Sequence, residues 1–228
     1  MPTIEAIGSV RTAFRDECER LGEVLRGVDE TDLDRPTACR PWTVGELLAH
    51  VRSGAGRLVD MLAAPAPPRA RVDAAGYFGA AKFTAPVDAA RVAAGRREAR
   101  ETDGPALVAD FDRAWRAALH AVDAAPPDRV VRTRHGDAME LGEFLRTRVV
   151  EVGVHGLDLA AALGRRPWLT PAAAEVVADL LTGGRPVPPA LGWDRLALIR
   201  KATGRAALTD RERAVVDAAG FRRLSFGA

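Results

Sequence analysis

Lysine is nearly missing from this chain: of its 33 basic residues only Lys82 and Lys201 are lysines. A GC-rich genome produces that bias, so the arginine count says nothing by itself about anionic partners. With 31 acidic residues the net charge is +2, and no overall field draws the protein to nucleic acid or to an anionic membrane. Cysteine is scarce. Cys18 and Cys39 make neither a disulfide framework nor a CxxC pair, which fits a reducing compartment. No apolar run nears the roughly 20 residues that span a bilayer. The start, MPTIEAIGSVRTAFRDE, lacks the uninterrupted apolar core of a signal peptide. The expectation is a soluble, cytoplasmic protein with no nucleic-acid or membrane partner, a monomer or a homodimer.

What is present is apolar residues at helical spacing. At 228 residues and 47% hydrophobic content the chain can fill a real core. Ile4, Ile7, Val10, Phe14, Cys18, Leu21, Leu25 and Val28 recur at steps of three and four, the pattern of one amphipathic helix. Thr43 with Glu46 forms a capping-box pattern that opens a second helix, expected to run to about Leu62. The prolines of APAPPRA, residues 64 to 70, stop it. Residues 71 to 103 are broken by Gly76, Gly79, Pro86 and Gly95 and read as a loop, a short helical piece and the run-up to the next helix.

ALVADFDRAWRAALHAVDAA is a third helix, followed by a short extended piece at Arg129 to Thr133. A fourth runs from about Leu141 to Leu163, ended by Gly164 and Pro167. Four long helices joined by breakers make a mainly α bundle over residues 1–166. Residues 167–228 carry shorter helices, opened at Thr170-Pro171, Asp194 and Thr209. RRLSFGA at the end reads as a short strand or a docked tail. This part is expected to be a small helical or α/β appendage packed on the bundle.

The fourth helix has one anomaly. In RVVEVGVHGLDLAAALG, Arg148, Glu151, His155 and Asp158 lie three, four and three residues apart and share one face. Their neighbours are Val149, Val150, Val152, Val154, Leu157 and Leu159. The stripe is either a site or a solvated face with an ordinary Glu–His pair. His50, at the edge of the apolar face of the second helix, means little alone. Bundles, however, build metal centres from inward side chains on facing helices. Glu151 and His155 with His50 make three ligands, and three protein ligands with an open position is the composition of a catalytic zinc site.

Two stretches together, PTACRPWTVGELLAHV and FLRTRVVEVGVHGLDLAAALG, resemble the mycothiol-dependent maleylpyruvate isomerase family, within the DinB-like superfamily of metal-binding four-helix bundles. WDRLALIRKATGRAALTDRERAVV resembles the carboxy-terminal part of the same family. The resemblance places His50, Glu151 and His155 on the family's metal-ligand positions and implies a divalent metal, zinc first among candidates. Arg148 and Asp158 also match the motif. Physical reasoning offers Asp158 as a partner that orients His155 and Arg148 as an anion contact, with a structural salt bridge as the alternative for both.

A low-molecular-weight thiol, mycothiol by resemblance, would be deprotonated by such a metal. Two chemistries follow: cis-trans isomerisation of an activated alkene, or transfer of the thiol to an electrophile. The substrate is then a small electrophile or unsaturated acid. A different class remains open, a non-catalytic metal- or ligand-binding bundle. An acidic substrate needs cationic anchors, and Arg205 in the ATGR turn is the candidate. Cys18 and Cys39 read as structural, Trp42 as packing at the start of the second helix. His135 reads as a loop histidine or a proton carrier.

Overall fold

The computed structural model describes residues 4–79 and 84–224. Four helices form the central bundle: α1 (Ile4–Leu25), α3 (Val44–Gly56), α7 (Gly104–Asp123) and α8 (Leu141–Ala162). Each of α1 and α3 packs against both α7 and α8. Around this bundle lie α2 (Glu30–Leu33), α4 (Leu58–Ala63), α5 (Ala74–Tyr77) and α6 (Ala85–Glu101), and after it α9 (Pro171–Thr182), α10 (Arg195–Ala202) and α11 (Asp210–Ala218). No helix among the described residues is long and apolar enough to cross a membrane.

Helix α8 is the axis of the fold. Sixteen of its 22 residues are buried, from Leu141 through Ala160, as a helix apolar nearly all round must be. Helix α1 buries a single stripe instead, Val10, Phe14, Cys18, Leu21 and Leu25 among it. That stripe also includes Glu17, fully buried. Its carboxylate accepts from the backbone N and the hydroxyl of Thr170, both at 2.8 Å. Thr170 caps α9, so this one acid ties the appendage to the bundle.

Local chemistry sets the boundaries. At α3 the capping box is complete: the Thr43 N–H donates to Glu46 Oε2 at 3.1 Å and the Glu46 N–H to Thr43 Oγ1 at 3.3 Å. The helix read as continuous to Leu62 is divided at Arg57. The break follows Gly54-Ala-Gly56, a flexible pair of the kind that kinks helices, and a Cβ on Gly56 would stand 3.2 Å from that of Ala114 on α7.

Two further differences from the sequence expectation concern the connections. Residues 85–101, read as the run-up to another helix, form the 17-residue helix α6 packed on α3. Gly95 does not break it; it admits the neighbour, since a Cβ there would lie 3.1 Å from the Glu46 carbonyl. The extended piece after α7 is β1 (Val130–Arg132), which pairs antiparallel with β2 (Ala138–Glu140) in the register Val131↔Met139. Gly136, at φ +86°, makes the turn, and β2 leads directly into α8.

The segment after Pro167 is helical, and among the described residues it contains no strand. Helix α9 packs on α1 and α8, and α10 on α9. The tail docks through Arg222 N–H to the Leu181 carbonyl at 2.7 Å and Leu224 N–H to the Ala202 carbonyl at 2.9 Å. The last residues of RRLSFGA, 225–228, lie outside the described residues.

Candidate metal centre

The polar stripe of α8 faces inward. Arg148, His155 and Asp158 are buried, and the Glu151 side chain retains 14% exposure. Opposite it, α3 delivers His50. One donor atom each from His50, Glu151 and His155 lies within 4.8 Å of the other two, and His50 Nε2 stands 3.0 Å from Glu151 Oε1. Gly54, one turn beyond His50, leaves the room: a Cβ there would come within 2.9 Å of Glu151 Oε1 and 3.1 Å of Arg148 Nη1. The Trp42 ring lies against the His50 imidazole, with centroids 4.6 Å apart, so the residue at the start of the second helix also backs this ligand candidate.

Electrostatics favour donor forms of these groups. Burial lowers the His50 pKa to about 4, against the opposing pull of Glu151, so near neutral pH its nitrogen keeps a lone pair. Burial also works against ionisation of Glu151, but Arg148, His50 and His155 outweigh it and hold the carboxyl well below its usual range. Arg148 Nη1 pairs with Glu151 Oε2 at 3.0 Å. The guanidinium is fixed from behind by the Phe144 ring, 4.8 Å from its centroid, and by the Tyr77 hydroxyl at 3.4 Å.

The other nitrogen of His155 meets a second cluster. Nδ1 stands 3.1 Å from Asp158 Oδ2, which leaves Nε2 for the His50–Glu151 side; carboxylate contact at one nitrogen is the usual way a ligating imidazole is oriented. Cys39 Sγ donates to the same Asp158 oxygen at 2.9 Å and lies 3.8 Å from His155 Nδ1. Arg205 arrives from the loop after α10 and forks onto Asp158, Nε to Oδ1 at 3.0 Å and Nη2 to Oδ2 at 2.6 Å. The structure thus places Arg205 on the Asp158 side of His155, its fork taken by that carboxylate. Cys39, His155 and Asp158 also satisfy the proximity expected of metal donors. The thiol, however, is pushed up to about 12 by burial and by Asp158, and a cation already occupies the carboxylate.

The first cluster opens on a cavity of about 30 Å³ lined by His50, Glu151, His155, Tyr77, Phe78, Arg57, Arg91, Arg134, His135 and Arg148. That is space for an ion with a water or two. Four arginines line it against one carboxylate, with Arg91 also paired to Asp88 and Arg148 to Glu151, which leaves it net cationic. Cys39, Tyr77, Arg57, Arg91 and Arg134 had no signal of their own in the sequence: Arg91 is on the unrecognised α6, Tyr77 in the undecided stretch, and Cys39 in a loop whose partners are more than 100 residues away. His135 stands at the cavity, its ring 6.0 Å from that of Tyr77.

This donor set fits a divalent cation. Two imidazoles and an ionised carboxylate converge from two helices, one imidazole is braced through its second nitrogen, and the space beside them is small and polar.

Comparison with known proteins agrees with the architecture. A family model described as the mycothiol maleylpyruvate isomerase N-terminal domain matches residues 14–160. Among solved structures, a mycothiol-dependent maleylpyruvate isomerase superposes with a TM-score of 0.54 at 17% identity, over 77% of this chain and 69% of that one. A histidine-to-alanine mutant of the mycothiol-dependent maleylpyruvate isomerase superposes equally, with a TM-score of 0.54 at 16% identity over the same shares. At such identities the likeness establishes a shared fold. No curated protein matches the chain. The matched residues run from within α1 almost to the end of α8 and include every residue of the two clusters except Arg205; the chain belongs to the mycothiol maleylpyruvate isomerase N-terminal domain family.

Proposed function

We propose that His50, Glu151 and His155 hold a divalent metal, zinc in the first instance, and that the protein uses it with a low-molecular-weight thiol, mycothiol, on an activated unsaturated acid. The reading rests on one observation: three donors of complementary charge, drawn from two helices, meet at the floor of a cationic cavity in a member of this family. A metal so held would lower the pKa of a bound thiol and would supply a nucleophile near neutral pH, whether for reversible addition to an alkene or for transfer to an electrophile.

The chain's own residues define the rest. His50 is neutral and Glu151 ionised, so the two can serve as donors without first losing protons. Arg148 orients Glu151 and, with its charge already engaged there, acts as a positioning group. Asp158 holds His155 by Nδ1, and Arg205 and Cys39 hold Asp158. Arg57, Arg91 and Arg134 line the cavity with cations suited to a carboxylate-bearing substrate. Burial together with Arg134 and Arg148 lowers the Arg57 pKa, so an incoming carboxylate relieves mutual repulsion among these groups.

The test has two steps. Metal content is measured for wild type and for His50→Ala and His155→Ala; one ion per chain in wild type and loss in both variants is the expected result. The loaded protein is then mixed with mycothiol and maleylpyruvate, and separately with mycothiol and a bimane electrophile. Isomerisation of the first identifies an isomerase, conjugation of the second an S-transferase. Metal binding without turnover of either would instead identify a non-catalytic metal-binding bundle.

A further inference from the structure

The largest cavity described on this molecule is not the one at His50. A groove of about 670 Å³ lies on the Asp158 side of His155, between the end of α8, the loop after α10 and the start of α11. It is larger and more open to solvent than the space beside the three donors. We propose that this groove is a binding site for a small organic anion, a carboxylate or phosphate on an apolar body, separate from the metal cavity.

Charge is the first argument. The groove is lined by Arg165, Arg200, Lys201, Arg205, Arg213 and Arg223 against a single acid, Asp158, in a chain whose basic and acidic residues nearly balance overall at 33 to 31. Some of these cations are compensated: Arg205 by Asp158 within the wall, and from outside it Lys201 by Glu212 at 2.7 Å and Arg223 by Asp217 at 3.3 Å. Arg200 and Arg213 have no acid within ion-pair distance among the described residues.

Their positions sharpen the point. Arg200 lies in the last turn of α10, where the helix dipole favours a cation in any case. Arg213 lies in the first turn of α11, where the dipole disfavours one, so an anion in the groove gives this residue the partner its own helix does not.

Shape and chemistry of the floor are the second argument. Leu157, Ala161, Pro167, Leu208 and Leu224 give it apolar surface between the charges, so bare phosphate would leave most of the groove unused. The wall is held in place: Arg205 and Ala206 N–H groups both donate to the Arg200 carbonyl, at 2.6 and 3.0 Å, with Gly204 at φ +77° making the turn. An apolar anion that pairs with exposed arginines and covers apolar surface gains from both terms.

The site is tested by calorimetric titration of the metal-loaded protein with phenyl phosphate and, in a separate arm, with phthalate. One saturable site per chain is expected for at least one probe, and the stronger arm identifies phosphate or carboxylate as the natural head group. The Arg200→Ala/Arg213→Ala double variant, which alters only exposed side chains, should weaken binding at least ~10-fold with metal content unchanged. Arg91→Ala, in the other cavity, should leave it within ~2-fold. Absence of saturable binding for both probes overturns the proposal. So does binding that survives the double variant, or binding lost in Arg91→Ala but not in the double variant.

Discussion

The two sides of the His155 ring each carry a donor side chain, a carboxylate and an arginine, and arrive at opposite uses. On the Nε2 side are an imidazole, a carboxylate and an arginine: His50, Glu151 and Arg148. On the Nδ1 side are a thiol, a carboxylate and an arginine: Cys39, Asp158 and Arg205. Both sets of donors are close enough for an ion. They differ in what the arginine leaves free. Arg148 takes one oxygen of Glu151, and His50 approaches the other, so the carboxylate still faces the cavity. Arg205 takes both oxygens of Asp158, and Cys39 remains a thiol. Proximity of donors is therefore insufficient to mark a metal centre; the charge state and residual lone pairs decide. On the proposed reading the Nε2 side holds the metal and the Nδ1 side braces it.

The largest effects should break this asymmetry outright. Glu151→Gln, His50→Ala and His155→Ala each remove a donor. If one ligand contributes roughly a quarter of the 10–16 kcal/mol typical of a four-ligand zinc site, affinity falls by about a hundredfold to a thousandfold. Competition with a chromophoric chelator measures it. Retention of wild-type affinity in Glu151→Gln would remove that residue from the ligand set.

Next is a pH effect in the metal-free protein. The His50 pKa is lowered to about 4 in the folded state from an ordinary 6.5, so as pH falls the unfolded chain takes up this proton first. Stability is complete above 6.5 and declines between 6.5 and 4, by roughly 3 kcal/mol if the whole shift is expressed. Urea melts across that range, compared with His50→Gln, should show a flatter dependence in the variant. Equal slopes would mean that His50 is not held neutral by burial.

Weaker still should be the brace. Asp158→Asn keeps the shape but loses the charge that orients Nδ1, and metal affinity should fall by about 10–100-fold, less than for any ligand. Arg205→Lys keeps a cation but not the fork, and its affinity should lie between wild type and Asp158→Asn. The smallest effect belongs to Cys39→Ala, which should leave metal affinity within ~2-fold. Held as a thiol, with its pKa near 12, Cys39 should resist iodoacetamide at pH 8 in the folded protein and react on unfolding. Rapid labelling of the native protein would contradict the described environment.

The same contrast explains what was legible in the sequence. Helix α8 announces itself because its apolar positions are continuous, its ends carry stop signals, and a polar stripe inside such a helix is conspicuous. The Thr43–Glu46 capping box is a local interaction and was equally readable. Helix α6 was not: its one fully buried residue is Gly95, so it has no apolar stripe to find, and close packing there uses the very residue that reads as a breaker. Cys39 reads as structural from its place just before the helix cap, in a loop with no periodicity to reveal its partners. Its contacts with His155, Asp158 and Arg205 span 116, 119 and 166 residues, and no local pattern encodes them. Arg205 was visible as a candidate, yet only the fold shows that its partner is Asp158.

The most direct test is X-ray absorption at the zinc edge of the thiol-free, zinc-loaded wild-type protein. The account predicts a first shell of nitrogen and oxygen only, at about 2.0–2.2 Å, with two imidazoles. A sulfur scatterer near 2.3 Å that disappears in Cys39→Ala would put the metal on the other side of His155 and contradict it.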